Sequence, residues 1–485
     1  MASNLKEKTI SGVVWSGLQK FGTVMLNFIS GIVLARLLTP EDYGIIGMLT
    51  IFLAISNTFI EGGFGSALIQ KQVPTNEDYS TILYWNIFFS LFLYGVLFVT
   101  APLIAQFYNL PLLTDVLRVQ AIVLIINSSR IVQRSKLRKE LQFKKVAIIN
   151  FSANLIALIV TIFLAWKGFG VWSLVLQQII LSFLITLFYW IVSRWKPSLV
   201  FSKQSFRELF NFGGFILLSN LFNTFCNNIQ GLLIGKVYNS STLGFFTKAQ
   251  RTELLSSSFI SSILDQVSYP VLSELQSDKE KLVKALGTFI GTSAFLTFPF
   301  LLLLILLAKP IFIILYSERW LGSVPYFQIL CFAGIAICLQ SVNYYAVAAI
   351  GKSKELLKWT IVKRVLGLFF VVVGLKMFGI YGLLIGMVVT SWLIFFINAA
   401  VAAKYVGYAL RNQFKDLSPI FTLSFLSFSV AYSLTWLSIN NLYIDAIAKF
   451  VLFVSTYIII SYTFQMRALR SAKDSLSFLI KKVKR

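Results

Sequence analysis

Apolar runs of about 20 residues recur along the whole chain, and they limit its fold more than any other feature. A helix of about 20 apolar residues is long enough to cross the hydrocarbon core of a bilayer. Only 13% of the 485 residues are charged, 57% are hydrophobic, and the mean hydropathy is +0.79. A soluble chain of this length would need more charge to cover its surface. The sequence therefore predicts an all-α protein that crosses a membrane many times.

We place fourteen transmembrane spans in the chain. The eighth is the weakest, because its run is rich in serine and contains Asp265. The spans are 11–35, 43–64, 80–106, 115–132, 146–166, 170–192, 213–235, 253–273, 286–308, 324–348, 357–377, 380–403, 418–438 and 442–464. With the N-terminus inside, the inward segments hold roughly three times as many lysines and arginines as the outward loops, as the positive-inside rule requires. This topology predicts that both termini are cytoplasmic.

The composition argues against several other classes of protein. The net charge of +24 lies mainly in alternate loops, which indicates membrane topology and not nucleic-acid binding. The chain has no histidine, and its three cysteines lie singly inside apolar runs. No phosphate-binding loop, nucleophilic triad or metal-ligand spacing occurs, and the loops are too short for a soluble catalytic domain. We therefore expect no metal, no cofactor and no enzyme activity.

Two distant stretches of the sequence resemble each other. GIVLARLLTPEDYG begins at Gly31 and GLLIGKVYNSSTLG begins at Gly231, so that Gly44 corresponds to Gly244. Apolar positions between these glycines also match. The alignment makes the seventh span a second copy of the first.

A second pair of motifs supports the repeat, since FGVWSL from Phe169 resembles FGIYGL from Phe378. These motifs precede the sixth and twelfth spans, so spans one to six and seven to twelve are two copies of one unit. An even number of spans gives both copies the same orientation, related by an axis along the membrane normal. We predict two pseudo-symmetric six-helix lobes, 1–200 and 201–405, with two further helices and a basic tail in 406–485.

A polar stripe follows one side of the first span and recurs in the seventh. The first stripe contains Gln19, Lys20, Thr23, Asn27 and Ser30. The repeat aligns it with a second stripe that contains Asn223, Asn227 and Gln230. Because an unpartnered amide or ammonium in hydrocarbon costs several kcal/mol, both stripes should face protein or water. We expect them to line a cavity between the lobes, and hydrogen bonding between helices is the alternative.

Several basic residues extend this prediction. Lys20 lies on the first stripe, Arg118 and Arg130 flank the fourth span, and Lys363 and Arg364 are adjacent in the eleventh. Cations in a chamber of low dielectric constant suit a phosphate or another acidic group. The alternative is that Lys20 extends toward the interface and that the two arginines of the fourth span are interfacial.

Two carboxylates are predicted to lie deep in the membrane. Glu61 belongs to the second span and Asp265 to the eighth, which are equivalent spans of the two lobes. An intramembrane carboxylate can bind a coupling ion such as H⁺ or Na⁺, or it can complete a structural ion pair. Both interpretations remain open for each residue.

The chain resembles Wzx-type polysaccharide exporters, and especially the subgroup of colanic-acid exporters. The matching motifs are KTISGVVWSGLQKFG, ISGIVLARLLTPEDYGIIGML, LRKELQFKK and GFGVWSLV. These exporters share a superfamily with multidrug (MATE) exporters and lipid II flippases. The resemblance implies a V-shaped fold of two lobes that work by alternating access. It also implies that Lys20 matches the basic residue that such flippases carry in their first helix.

The resemblance further implies a substrate. It suggests a flippase that moves undecaprenyl-diphosphate-linked oligosaccharide across the bacterial inner membrane. The oligosaccharide would be a repeat unit of O-antigen, capsule or exopolysaccharide. Transport could be coupled to an ion, and a monomer would be sufficient. A drug antiporter of the same fold is the first alternative, although it would favour an acidic cavity. A membrane glycosyltransferase or polymerase is the second, although the outward loops are short for a catalytic domain.

Overall fold

The computed structural model describes residues 2–437 and 440–464, which are helical almost throughout. The helices are α1 (Ala2–Leu37), α2 (Pro40–Glu61), α3 (Phe64–Gln70), α4 (Asn76–Tyr108), α5 (Leu113–Gln120), α6 (Ile122–Ser128), α7 (Ile131–Lys139), α8 (Phe143–Trp166), α9 (Val171–Ser193), α10 (Lys203–Val237), α11 (Ser240–Glu274), α12 (Lys279–Leu306), α13 (Ala308–Tyr316), α14 (Val324–Ala349), α15 (Ser353–Tyr405), α16 (Leu410–Tyr432) and α17 (Leu442–Thr463). Two 3₁₀ helices lie at Glu318–Ser323 and Ser433–Leu437.

The structure confirms the all-α, multi-span class. Within the described ranges, ten helical segments are long and apolar enough to cross a membrane. One of these segments holds both the eleventh and the twelfth predicted spans. The count of fourteen spans remains a prediction, and the basic tail after residue 464 lies outside the described residues.

The predicted fourth span, 115–132, is not one helix but the three short helices α5, α6 and α7. Serine hydroxyls explain the second break. Ser128 donates to the carbonyl oxygen of Ile125 at 2.8 Å, and Ser129 donates to that of Ile126 at 2.9 Å. Side-chain donors of this kind compete with backbone N–H groups and favour bends.

Helix α15 is a helical hairpin. Its backbone leaves the helical region at Phe378 and Gly379, where the two predicted spans meet. A Cβ atom on Gly374 would lie 2.1 Å from the carbonyl oxygen of Gly382, and one on Gly386 would lie 2.4 Å from that of Phe370. Glycines therefore allow the two arms of the hairpin to pack backbone against backbone.

The sequence repeat has counterparts in the backbone. Gly170 precedes α9 with φ 52° and ψ −130°, and the matching Gly379 adopts φ 62° and ψ −145°. This region of φ/ψ space is accessible almost only to glycine. The start of α2 is capped by Thr39, whose hydroxyl accepts the N–H of Asp42 at 3.3 Å. The side chain of Asn239 accepts the N–H of Thr242 at 2.8 Å in the same way.

The repeat-related glycines also make reciprocal contacts. A Cβ atom on Gly44 would lie 1.7 Å from the carbonyl oxygen of Ser240, and one on Gly244 would lie 1.8 Å from that of Pro40. Each glycine therefore packs against the first residue of the other's helix. An exchange of equivalent partners is the pattern of a local two-fold axis.

The chain forms two compact units, 1–247 and 248–485. Unit 1 contains α1 to α10 and the start of α11, and unit 2 contains the rest. Helix α10 packs against α2, α3 and α4, so it belongs to unit 1 although the repeat starts a second lobe at residue 201. The packing boundary thus differs from the repeat boundary, and the six-helix lobes remain a prediction.

Candidate functional site

A polar cavity of about 300 Å³ lies within unit 1. Its walls come from the end of α2, from α3, from α7 and from the middle of α10. The polar side chains most relevant to ligand binding are Thr58, Glu61, Arg134, Arg138, Asn223 and Asn227. Two guanidinium groups against one carboxylate give the lining an excess of positive charge.

The charged groups of the cavity are only loosely paired. Nη1 of Arg134 lies 3.6 Å from Oε1 of Glu61, and the two side chains are 37% and 55% exposed. An ion pair as open as this contributes about 0–1 kcal/mol, so an anionic ligand can displace the carboxylate. Partial burial, together with the neighbouring charge of Arg134, lowers the pKa of Arg138.

The amide wall of the cavity is one face of α10. Asn220, Asn223 and Asn227 recur at helical spacing and line the space together. Between them, the hydroxyl of Thr224 lies 3.0 Å from that of Thr58 on α2. This face adds amide and hydroxyl groups to a lining that also contains the arginines of α7.

The short helix α3 is held beneath α10 by close packing. Gly63 has φ +71°, and a Cβ atom on it would lie 2.4 Å from the carbonyl oxygen of Gly213. Phe64 is 1% exposed and its ring centroid lies 5.9 Å from that of Phe206 and 6.2 Å from that of Phe210. These contacts fix the position of the α3 wall.

An ion cluster fixes the other end of α3. Lys71 lies 3.1 Å from Asp78 on α4 and 3.0 Å from Glu208 on α10. Burial lowers the pKa of Lys71, but hydrogen bonds to Glu208 and Asp78 outweigh it, and the net shift is upward. Lys139 donates to the carbonyl oxygen of Ile69 at 2.9 Å, which satisfies the last turn of α3.

The structure brings part of the predicted site together. Asn223, Asn227 and Glu61 line the cavity, whereas Gln230, three residues beyond Asn227 on α10, is outside the lining. The carboxylate of Glu61 pairs with Arg134 and is exposed, and its depth in the membrane stays a prediction. Its predicted role as an ion-coupling group remains untested.

The first polar stripe lies elsewhere in unit 1. Helix α1 packs against α8, and none of its described side chains lines the cavity. Thr23 is half-buried, with no hydrogen-bond partner for its hydroxyl among the described residues, and Asn27 is exposed. The side chain of Lys20 lies outside the described residues. The roles predicted for these three residues stay predictions.

The arginines predicted around the fourth span have separate surroundings. Arg118 stacks over the ring of Phe98 at 4.3 Å and donates to the carbonyl oxygen of that residue at 3.3 Å. Arg130 precedes α7, and its buried Nη1 has no hydrogen-bond partner in the described part of the chain. Neither side chain is part of the cavity lining.

The predicted basic pair of the eleventh span lies in unit 2. Lys363 is 7% exposed and donates to Oδ1 of Asn398 at 2.6 Å. Asn398 in turn donates to the carbonyl oxygen of Gln340 at 3.2 Å. Arg364 is half-buried. The ammonium group of Lys363 therefore faces protein, while the side chain of the other deep carboxylate, Asp265, lies outside the described residues.

Sequence reasoning missed the cationic wall of the cavity. Arg134 and Arg138 belong to the basic segment that the positive-inside rule assigned to topology alone. Their spacing of four residues places them on one face of a helix, and this signal could have separated them from their basic neighbours. Asn220 was missed although the repeat aligns it with Lys20, a residue of the first polar stripe.

The chain is similar to proteins of polysaccharide assembly. The family described as "Polysaccharide biosynthesis protein" matches residues 33–325. The teichuronic acid biosynthesis protein TuaB of Bacillus subtilis is 24% identical over 358 residues, which cover 73% of this chain and 74% of that protein. The lipopolysaccharide biosynthesis protein WzxC of Escherichia coli is 23% identical over 434 residues, which cover 89% of this chain and 88% of that protein.

A solved structure shares the fold. The lipid II flippase MurJ, in an inward closed conformation, superimposes with a TM-score of 0.76 at 17% sequence identity. The superposition covers 93% of this chain and 98% of MurJ. This likeness shows that the chain has the fold of a multi-pass membrane transporter.

Proposed function

Because this chain belongs to the polysaccharide biosynthesis protein family, we propose that it flips undecaprenyl-diphosphate-linked oligosaccharide across the bacterial inner membrane. The observation that carries the proposal is the cavity of unit 1, which is lined by arginines of α7 and amides of α10. The names of the relatives TuaB and WzxC, which refer to teichuronic acid and lipopolysaccharide biosynthesis, support the same substrate class.

The arginines suit the diphosphate group. A guanidinium forms paired hydrogen bonds with a phosphate, and such charge-assisted bonds are about twice as strong as neutral ones. Arg134 and Arg138 would bind the diphosphate, and Glu61, which pairs with Arg134, would give way to the ligand. Two guanidinium groups match the two phosphates in number and sign.

The amides suit the sugar. Each Asn side chain offers two hydrogen-bond donors and one acceptor oxygen. Neighbouring hydroxyl groups of a sugar, which both donate and accept hydrogen bonds, can bind to such a side chain. Asn220, Asn223 and Asn227 form such a row on α10, in the same cavity as the arginines. The polyprenyl chain needs no polar partner and would stay in the surrounding lipid.

The transport cycle would be alternating access by a monomer with cytoplasmic termini, loaded from the cytoplasmic side where the basic segment lies. Flipping leaves the substrate chemically unchanged, so the chain would act as a transporter and not as an enzyme. The likeness to the fold of MurJ supports this mode of action. Lys20 in unit 1 and Lys363 in unit 2 stay candidate cations for the acidic group of the substrate.

A flipping assay in liposomes tests the proposal. The purified chain is reconstituted with fluorescent undecaprenyl-diphosphate-linked oligosaccharide, and movement between leaflets is read from the fraction of label that a membrane-impermeant quencher outside the liposomes can reach. The double substitution Arg134→Ala with Arg138→Ala removes charge-assisted bonds of about 1.5–3 kcal/mol each, so flipping should fall at least tenfold. Lys145→Ala is the matched control, because it removes an exposed charge of the same segment outside the cavity. Equal rates for the double variant and the control would refute the site.

A further inference from the structure

Unit 2 contains a buried carboxylate that the proposed substrate site does not use. Glu253 on α11 is 3% exposed. Its Oε1 atom is buried and has no hydrogen-bond partner among the described residues. Native structures rarely leave a buried polar atom in this state without a functional reason.

The neighbouring helix is shaped around this carboxyl group. A Cβ atom on Gly334 of α14 would lie 2.3 Å from Oε1 of Glu253, so this glycine leaves room for the carboxyl group where it lies. Leu301 of α12 borders the same place, at 3.2 Å from that Cβ position. Cys331, one turn before Gly334, is fully buried. The carboxyl group therefore occupies a notch with mainly apolar walls.

The ionisable groups nearby do not neutralise a carboxylate. Lys248 lies on the same helix and is buried, but its ammonium lies 3.7 Å from the ring centroid of Tyr316 and 5.4 Å from that of Trp320. Arg251 is exposed. The thiol of Cys331 on α14 and the phenol of Tyr316 on α13 are acids and supply no positive charge. In the described part of unit 2, no cation lies within ion-pair distance of Glu253.

An unpaired carboxylate at such a depth is costly. Transfer of an isolated ionised carboxyl group into an apolar interior costs far more than transfer of its neutral acid, so a group of this kind takes up a proton. Protonation makes a neutral carboxylic acid from one carboxylate and one H⁺, and no other reactant is needed. The proton can return to water only when the notch around Glu253 opens.

We propose that Glu253 is a proton-binding site, and that its bound proton is the ion exchanged during each transport cycle. The structure in hand is then the protonated state of unit 2, and deprotonation accompanies exposure of the notch. The exchange step rests on the proposed function, whereas the bound proton does not. Glu61 differs from Glu253 because it is exposed and paired with Arg134.

Infrared spectroscopy of the full chain in liposomes tests the bound proton. The carbonyl band of a neutral carboxylic acid should be present at pH 7 and should disappear in Glu253→Gln, whose amide has the same shape. Glu61→Gln, the matched control, should keep the band. A wild-type spectrum without the band, or a band that survives Glu253→Gln, would overturn the proposal.

Chemical labelling of the wild type gives a second readout that does not depend on the folding of a variant. Dicyclohexylcarbodiimide reacts with protonated carboxylic acids in apolar surroundings, and peptide mass spectrometry locates the adduct. Glu253 should be labelled and Glu61 should not, with labelling that declines as the pH is raised. Labelling of Glu61 in preference to Glu253 would contradict the proposed site.

A pH gradient across the liposome tests the exchange. The gradient should accelerate flipping by the wild type, and this acceleration should be absent in Glu253→Gln, whose amide cannot exchange a proton. Retained acceleration in Glu253→Gln, or acceleration by a sodium gradient alone, would overturn the exchange step. If the wild type moves no lipid-linked oligosaccharide yet keeps its infrared band, the proposed function and the exchange step fail and the proton site stands.

Discussion

Substitution of Gly44 by alanine tests whether the repeat is built into the packing of unit 1. A Cβ atom there would lie 1.7 Å from the carbonyl oxygen of Ser240, about half of an ordinary contact distance. The starts of α2 and α11 must therefore separate. Overpacking of this kind costs about 1–3 kcal/mol, and alanine in a helix returns about 1 kcal/mol relative to glycine. We expect a net loss of up to about 2 kcal/mol of stability.

The matched control is Gly95→Ala on α4, where a Cβ atom has no neighbour within 4 Å. This substitution gains helix propensity without a clash, so it should stabilise unit 1 by about 0.5–1 kcal/mol. Thermal unfolding of the purified variants, followed by tryptophan fluorescence, measures both effects. The apparent melting temperature should fall for Gly44→Ala and rise for Gly95→Ala.

The repeat makes a sharper prediction for the double variant. Gly244→Ala should cost as much as Gly44→Ala, because a Cβ atom there would lie 1.8 Å from the carbonyl oxygen of Pro40. The separation that admits one Cβ atom also relieves the other, so the double variant should lose clearly less than the sum of the single losses. Strict additivity, or a Gly44→Ala variant as stable as Gly95→Ala, would refute the reciprocal contact.

Three further predictions concern charged groups. Glu61→Gln frees Arg134 from its weak ion pair, so an undecaprenyl diphosphate probe should bind up to about fivefold more tightly in a fluorescence titration. Weaker binding would contradict the pairing. Lys363→Met leaves the buried oxygen of Asn398 without its donor, so thermal unfolding should show a loss of about 1–3 kcal/mol, and an unchanged melting temperature would contradict that hydrogen bond. The pKa of Lys71 in the folded chain is raised above the ordinary 10.5, so its charge contributes fully to folding stability below that pH. This contribution is lost as the pH rises through the higher folded pKa. The wild type should lose stability in that pH range, and Lys71→Ala should not.

The sequence predicts helices and their symmetry well, because those features depend on local patterns. Apolar runs locate spans, and a capping residue such as Thr39 marks a helix start. The two repeat motifs were matched from letters alone, and the shared backbone conformation of Gly170 and Gly379 explains why a glycine occurs in both. The family resemblance inferred from the opening motifs is also confirmed.

The cavity was harder to predict, because its walls depend on tertiary contacts. The register of the repeat identified Asn223 and Asn227 on α10. It also predicted that the polar stripe of α1 lines the same cavity, whereas α1 packs against α8. The four-residue spacing of the arginines of α7 separates them from other basic loop residues only once the break after Ser129 is known to make that segment a separate helix. Glu253 escaped notice because it opens the weakest predicted span, and its burial depends on a glycine of another helix.

The most direct test of the account is an electron cryo-microscopy structure of the chain with undecaprenyl diphosphate bound. The account predicts diphosphate density within hydrogen-bond distance of Arg134 and Arg138, with the carboxylate of Glu61 displaced from Arg134. Diphosphate density away from α7, with the pair between Arg134 and Glu61 intact, would contradict it.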